Sequence, residues 1–256
     1  MNIGERNELL IKLRLVELRM HGMSAPIFGV DIVRNVGFGQ IEYLDIPAGV
    51  GDYTQLDDAA LLKLAGAMNI TKAGVFDKAD VYINGVGYSI KSLSAAPPAL
   101  VNHTARDGWE RVCACVGCSI QELDDIIAEY WRLRTSGDIT EDVPNTHPKS
   151  PFATHKDYLL PILNYYLFKG SGSRPSVYPA DFILDFTNPT DESTWKKYGA
   201  EYIDSHWDKL VFSLRSSKGM GNYPNISNAA KKASMAKWTV FHSGGHKGAL
   251  HVRVTK

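Results

Sequence analysis

Residues 75–92 read VFDKADVYINGVGYSIKS, and this stretch decides the fold of the first half of the chain. The pair Asn84-Gly85 separates two runs rich in β-branched and aromatic residues, which predicts a tightly turned β-hairpin. Side chains alternate between the two faces of a strand. One face of the predicted hairpin is wholly apolar and should lie in the core, with Val81, Ile83, Tyr88 and Ile90. The other face is polar and carries Asp80, Tyr82, Ser89 and Lys91.

The polar face would bring the carboxylate of Asp80 close to the ammonium group of Lys91. An aspartate oxygen can hold Mg²⁺, which polarises a scissile phosphate and lowers the pKa of a bound water. A lysine beside it can orient or deprotonate that water and stabilise the developing charge. The backbone carbonyl of Ile90 is a candidate for a further metal ligand. The pair therefore predicts metal-dependent phosphodiester cleavage, and a salt bridge across the hairpin surface is the simpler alternative.

The charges of the chain are distributed unevenly along its length. The 256 residues include 28 Lys or Arg and 28 Asp or Glu, so the formal net charge is zero. The last acidic residue is Asp208, and residues 209–256 carry nine Lys or Arg, which makes this segment +9 and the remaining 208 residues −9. A long basic segment predicts contact with a phosphate backbone. A solvated basic surface is the alternative.

Composition and length limit the class of protein. A hydrophobic content of 44% and a charged content of 22% exclude wholesale disorder, coiled coil and collagen. No apolar run approaches the roughly 18 residues of a membrane span, and three cysteines suit a reducing compartment, so we expect a cytoplasmic protein without membrane contact. We expect a single domain over 1–256, with a catalytic core over about 1–134 and a DNA-recognition part over about 155–256.

Hydrophobic periodicity and turn residues predict further elements. Helices are expected over 5–21, 57–68, 105–116 and 119–134, with another plausible between 192 and 206. Strands are expected at 28–30, 40–44, 181–186 and 209–214. A second hairpin is expected from residues 238–242 and 249–254, which flank a glycine-rich turn.

The spacing of the polar hairpin residues resembles a nuclease motif. Asp80, eight intervening residues and then Ser89-Ile90-Lys91 are similar to the PD-(D/E)xK motif, with Ala79 in place of proline and Ser89 in place of an acid. The resemblance implies that Asp80, Ser89 and Lys91 form the catalytic site and that Mg²⁺ is the cofactor. It also implies that another carboxylate replaces the missing acid. Three candidates remain open: Glu8, Glu17 and Asp77.

Two further stretches of the sequence restrict the resemblance to one group of nucleases. Residues 90–92 with 111–123, and residues 237–247, resemble the corresponding blocks of MspI-like type II restriction endonucleases. The resemblance implies an α/β (α+β) fold with a PD-(D/E)xK nuclease core, a central mixed β-sheet flanked by helices, and a basic C-terminal β-hairpin. The implied activity is Mg²⁺-dependent, sequence-specific hydrolysis of double-stranded DNA by a site-specific deoxyribonuclease. A cognate DNA methyltransferase is expected in the same system, and no stable protein partner is implied.

Two alternatives to a restriction enzyme stay open. One is a structure-specific or repair nuclease of the same superfamily, and the other is a DNA-binding module whose active site has decayed. The absence of the second motif acid keeps the latter open.

Specific recognition needs side chains that reach base edges, while phosphate contacts fix the register. The resemblance assigns base contacts in the C-terminal hairpin to Thr239, His242 and Ser243, and a second recognition loop to Asn102, His103 and Thr104. Lys and Arg suit the acceptors of guanine, which makes Lys247 and Arg253 candidate guanine readers. Phosphate contacts are expected from Lys218, Lys231, Lys232 and Lys237.

Overall fold

The computed structural model describes residues 1–256 with the exception of 30, 95, 96, 98, 217–222 and 256. The chain forms two compact units. Unit 1 comprises Met1–Pro98 and Ser176–Tyr202, and unit 2 comprises Ala99–Pro175 and Ile203–Lys256. These units do not follow the expected division between residues 134 and 155. Residues 99–134 group with the carboxyl-terminal segment, and residues 176–202 group with the amino-terminal one.

Helices and strands alternate along the described chain. The α-helices are α1 (Ile3–Met20), α2 (Asp58–Ala67), α3 (Arg106–Val116), α4 (Ile120–Ser136), α5 (Lys156–Asn164), α6 (Tyr202–Ser205) and α7 (Ala229–Ala236). The strands are β1 (Val36–Phe38), β2 (Ile41–Glu42), β3 (Val81–Ile83), β4 (Val86–Ser92), β5 (Ala99–Ala105), β6 (Val143–Pro144), β7 (Phe182–Phe186), β8 (Lys196–Tyr198), β9 (Leu210–Arg215), β10 (Val240–His242), β11 (Gly245–Lys247) and β12 (Ala249–Val254). None of the described helices is both long enough and apolar enough to cross a membrane.

Unit 1 is built on a six-stranded mixed sheet with the order β2-β1-β3-β4-β7-β8. Neighbouring strands are antiparallel except β4 and β7, which run parallel. The helix α1 begins at a capping box formed by Asn2 and Glu5 and buries Leu13 and Val16 against the sheet. The expected α/β class, with a central mixed sheet flanked by helices, is therefore confirmed at this level.

The hairpin of β3 and β4 has the predicted turn. Asn84 and Gly85 both have positive φ values, 49° and 83°, as a two-residue turn of this type requires. The Asn84 side chain accepts hydrogen bonds from the backbone N–H groups of Arg34 and Asn35, at 2.8 and 3.0 Å, which fixes the turn to the preceding segment. The predicted apolar face lies in the core of unit 1, with Val81, Ile83 and Tyr88 buried and Ile90 packed against them.

Unit 2 contains a four-stranded antiparallel sheet with the order β5-β12-β9-β6 and a separate hairpin of β10 and β11. The helices α3 and α4 are separated at Gly117, whose φ of 73° ends α3 in the left-handed conformation. Aromatic side chains fill the core of this unit. Phe152 stacks on Phe212 with ring centroids 4.2 Å apart, and Trp109 and Trp238 are fully buried.

Two predicted elements are wrong. The strand expected at 28–30 is replaced by a 3-10 helix over Pro26–Phe28, because proline at the first position favours a helical turn and Gly29 then ends it. Residues 192–206 do not form one helix, since β8 pairs with β7 as an edge strand in the middle of this range.

The second hairpin has a different partner from the one predicted. Ser243 and Gly244, with φ values of 52° and 81°, form a two-residue turn, so β10 pairs with β11. The strand β12 instead lies between β5 and β9. A hairpin near the C-terminus is present; it is shorter than expected, and Lys247 is its one Lys or Arg residue.

Candidate functional site

The Asp80 carboxylate is held against the start of the hairpin. Asp80 lies directly before β3, and its Oδ2 accepts hydrogen bonds from the Ile90 N–H at 2.7 Å and the Ser89 hydroxyl at 3.3 Å. The Ser89 side chain is buried, with 3% exposure. Ser89 therefore supports the Asp80 carboxylate.

Three charged side chains act on Asp80 in unit 1. Burial raises the pKa of the Asp80 carboxyl, and the charge of Glu8 raises it further. The charges of Lys91 and Lys12 and the hydrogen bond from the Ile90 N–H lower the pKa of the same carboxyl. Asp80 and Lys91 therefore lie within electrostatic range of each other, as the hairpin pattern predicts.

A second lysine, Lys78, lies close to this pair. Burial lowers the pKa of Lys78 to about 8, the charge of Lys91 lowers it further, and the charge of Asp80 opposes the shift. The sequence analysis missed Lys78 because residues 75–80 were assigned to a strand. In the structure β3 begins only at Val81, and the preceding irregular segment brings Lys78 to the site.

The three candidates for the missing carboxylate differ in position. Glu8 is close enough to affect the pKa of Asp80 and accepts a 2.6 Å hydrogen bond from the fully buried Lys12 ammonium. Glu17 is bound by Arg14 and by the Tyr53 hydroxyl.

Asp77 accepts a hydrogen bond from the Gly74 N–H. The charges of Glu17 and Asp77 are not among the causes of the pKa shift of Asp80. Glu8 is thus the candidate that the structure brings to the Asp80 carboxylate.

A further carboxylate, Asp185, was not considered from the sequence. It lies on β7 in direct register with Lys91 on the parallel strand β4. Burial raises the pKa of Asp185 to about 7, against the charges of Lys91 and Lys196. The side chain is 1% exposed. Nothing local in the sequence indicates this placement, because it depends on the pairing of strands about 90 residues apart.

The oxygen atoms at Asp80 are of the chemical type that Mg²⁺ prefers as ligands. Within the described ranges, no cluster of three or more His, Cys, Asp or Glu side chains is arranged to hold a metal ion. Mg²⁺ commonly keeps several waters and uses only one or two protein carboxylates. The buried Tyr43 hydroxyl has no hydrogen-bond partner among the described residues, and burial, with the charges of Glu8 and Asp80, raises its pKa. The Glu8 and Asp80 carboxylates and this unpaired hydroxyl are oxygen donors, the type of ligand that Mg²⁺ prefers.

The residues expected to form a second recognition loop belong to a strand. Asn102, His103 and Thr104 lie on β5, so the expected loop is wrong. The pairing of β5 with β12 is irregular at this point, and His103 has a φ of 30°. The ring of His103 lies 4.8 Å from the ring of the buried His251, measured between centroids.

The two candidate guanine readers are ion-paired. Lys247 on β11 donates to Glu141 at 2.8 Å, and Arg253 on β12 donates to Asp142 at 3.1 Å. Arg215 on β9 donates to the same Asp142 at 2.7 Å. The sequence analysis did not single out Arg215. One carboxylate therefore orients two guanidinium groups of unit 2, and both keep donors that are not used by Asp142.

The remaining predicted DNA contacts lie on α7 and the β10–β11 hairpin. On α7, Lys231 forms an ion pair with Asp107 at 3.7 Å, and Lys232 donates to the Pro224 carbonyl at 2.8 Å. Just after α7, Lys237 forms an ion pair with Asp124 at 3.3 Å. Lys218 lies outside the described residues.

The predicted base contacts near the hairpin turn differ in their exposure. The Thr239 hydroxyl donates to the Met235 carbonyl at 2.7 Å. His242 and Ser243 share a 2.8 Å hydrogen bond at the turn, where Ser243 is exposed. The turn therefore presents polar side chains to the surroundings of unit 2, whereas Thr239 closes the end of α7.

The two units have opposite net charge. Unit 2 carries 17 Lys or Arg and 12 Asp or Glu, which gives +5. Unit 1 carries 11 and 16, which gives −5. Folding thus reduces the ±9 asymmetry of the linear sequence, because acids such as Glu141 and Asp142 join the basic segment.

The buried His251 predicts a pH dependence of stability. Burial lowers the pKa of His251 to about 4, and the charges of His103, Arg215 and Arg253 lower it further. Between about pH 4 and 6.5, His251 is therefore more protonated in the unfolded chain than in the folded chain. The free energy of unfolding should rise with pH across this window by up to about 3 kcal/mol.

Urea unfolding of the wild type and of His251→Gln at pH 4.5 and pH 7 measures this effect. In His251→Gln we expect the free energy of unfolding to differ less between the two pH values than it does in the wild type. The control variant His21→Gln changes an exposed side chain and should show the same difference as the wild type. Equal differences in the wild type and His251→Gln would show that His251 does not cause the dependence.

Comparisons of the chain with protein-family models, with curated proteins and with solved structures gave no match. A functional conclusion must therefore come from the residues of the two units themselves.

Proposed function

We propose that this chain is a type II restriction endonuclease of the PD-(D/E)xK superfamily, which hydrolyses double-stranded DNA at a specific sequence with Mg²⁺. The observation that carries the proposal is the Asp80 carboxylate, which is half-buried, fixed by the Ile90 N–H and placed in the field of Lys91. A carboxylate that is partly removed from water is stabilised by a cation, and perturbed groups of this kind are concentrated at functional sites.

The chain's own residues have separate roles in this proposal. Both hydrogen bonds to Asp80 use Oδ2, which leaves Oδ1 for a cation. The Ile90 carbonyl points to the same side of its strand as the Ile90 N–H, and so toward Asp80. Asp80 and the Ile90 carbonyl would hold Mg²⁺, with Glu8 close to them. When bound, Mg²⁺ supplies Lewis acidity to the phosphate and acidifies a water.

Lys91 completes the reaction chemistry. Its ammonium group orients the attacking water and stabilises the charge that develops on the phosphate oxygens. Lys78 raises the positive potential around the same point and favours a phosphate there. Ser89 and the Ile90 N–H prevent the Asp80 carboxylate from turning away, so its orientation is set before DNA binds.

The basic unit supports the DNA-binding part of the proposal. Unit 2 carries a net charge of +5, and Asp142 holds Arg215 and Arg253 in fixed orientations. Oriented guanidinium groups suit the O6 and N7 acceptors of guanine. The net charge supports contact with phosphates, whose number sets the salt dependence of binding.

A catalytically decayed DNA-binding module is the second candidate. Ser89 at the motif position and the lack of a three-ligand cluster among the described residues favour it. Incubation of supercoiled plasmid with the protein, with Mg²⁺ or with EDTA, separates the candidates. We expect discrete bands with Mg²⁺ only. Smears or cleavage of branched DNA alone would indicate a nuclease without sequence readout, and intact plasmid at every protein concentration would indicate the decayed module.

Arg215 and Arg253 provide a test of the recognition surface. We expect Arg215→Gln and Arg253→Gln each to weaken binding of a cleavable duplex by roughly tenfold or more, because a good guanine contact contributes about 1–3 kcal/mol. Fluorescence anisotropy in Ca²⁺ measures the affinity. The matched control is Arg132→Gln, an exposed arginine of α4 that pairs with Glu129. Unchanged affinity in both arginine variants would exclude these residues from the DNA interface.

A further inference from the structure

Three charged residues form a row across the sheet of unit 1. The parallel pairing of β4 and β7 places Lys91 opposite Asp185, and the antiparallel pairing of β7 and β8 places Asp185 opposite Lys196. Directly paired residues of neighbouring strands point to the same face of the sheet. The row therefore consists of Lys91, Asp185 and Lys196. It lies on the face of the sheet opposite to the apolar cluster that contains Tyr88 and Leu184.

Asp185 is unusual for a carboxylate in this position. Its side chain is 1% exposed, and neither carboxylate oxygen has a hydrogen-bond partner in the part of the chain that the structure describes. A buried carboxylate without a partner is costly, and proteins rarely keep one for stability. A residue that weakens the fold in this way is a candidate for function.

The electrostatic partner of Asp185 is the lysine of the proposed active site. The charge of Lys91 lowers the pKa of both Asp80 and Asp185. Asp80 directly precedes β3 on one side of β4, and Asp185 lies on β7 on the other side. Of the two carboxylates, Asp185 is the one in direct register with Lys91 on the neighbouring strand.

We propose that Asp185 is a positioning residue of the active site that restrains the Lys91 ammonium. This inference rests on the proposed function. Asp80 is committed to the cation in the proposed reaction, so it cannot also hold Lys91. Asp185 attracts the ammonium group from the other side and keeps Nζ at one place over the hairpin. Lys91 can then meet the phosphate in a fixed orientation and with little rearrangement.

The variant Asp185→Asn tests this role, because it keeps the shape of the side chain and removes the charge. We expect kcat for DNA cleavage to fall roughly 10- to 100-fold, as expected for a misplaced catalytic group, with KM nearly unchanged. We expect the Tm to equal or exceed that of the wild type, because a buried charge without a partner has been removed. Asp185→Glu should recover part of the lost kcat.

The control is Lys196→Gln on the other side of the row, which is exposed and should leave kcat unchanged. Wild-type kcat in Asp185→Asn would overturn the inference while leaving the proposed function intact. A low kcat together with a clearly lowered Tm, and no recovery in Asp185→Glu, would assign Asp185 a structural role and also overturn it. A wild-type protein that cleaves no DNA in Mg²⁺ would overturn the proposed function and this role with it.

Discussion

Asp80→Asn should abolish Mg²⁺-dependent DNA cleavage, with a loss on the order of a thousandfold or more. The substitution keeps the size of the side chain and removes the negative charge that would hold the cation. Metal ions contribute several kcal/mol of transition-state stabilisation, and each 1.36 kcal/mol corresponds to a factor of ten in rate.

Single-turnover cleavage of a duplex that contains the site, measured over a range of Mg²⁺ concentrations, checks this expectation. The matched control is Asp52→Asn, which changes an exposed carboxylate at the start of a 3-10 helix in the same unit. Binding of Asp80→Asn to the same duplex should stay close to that of the wild type. Cleavage within tenfold of the wild-type rate would remove Asp80 from the catalytic site.

The same assay can distinguish the candidates for the second acid. Glu8→Gln should slow cleavage, whereas Glu17→Gln should not, because Glu17 is bound by Arg14 and Tyr53 away from Asp80. Equal effects of both variants would mean that neither glutamate acts specifically at Asp80.

Lys91→Gln should lower the cleavage rate by about 10²- to 10⁴-fold, the range for loss of a group that works on the attacking water and the phosphate. Lys91→Arg should recover little activity, since a planar guanidinium group has a different shape from a compact ammonium group and cannot take the same place.

Pre-steady-state rates and equilibrium binding together measure the effect of Lys91→Gln. We expect the affinity for DNA to change by only a few fold, so that the loss appears in the chemical step. The control is Lys72→Gln, which removes an exposed lysine of the same unit that pairs with Glu5. A loss of binding equal to the loss of rate would assign Lys91 to DNA attraction instead of chemistry.

The sequence predicted those parts of the site that depend on local spacing. Asn84-Gly85 specifies the turn, and alternation along two short strands then places Asp80, Ser89 and Lys91 together. The helices α1, α2, α3 and α4 were also predicted, because each has a recognisable start or end, and α3 and α4 have a clear apolar face as well.

The parts that depend on distant pairing could not be predicted. Asp185 reaches Lys91 only because β7 joins β4 in parallel, and no local pattern specifies that register. The acids Glu141 and Asp142 form ion pairs with Lys247, Arg215 and Arg253, which lie about 70 to 110 residues further along the chain. A count of charge along the chain therefore overestimated the free basic surface.

The most direct test of the central claim is to map the ends of the DNA fragments that the protein produces with Mg²⁺. Plasmid and bacteriophage DNA of known sequence are digested, and the fragment ends are sequenced. The proposed function predicts that every end falls at a fixed position relative to one short sequence, and that neither EDTA-treated protein nor Asp80→Asn produces such ends. Ends at random positions would contradict the claim of sequence-specific cleavage, and an undigested substrate would contradict the claim of nuclease activity.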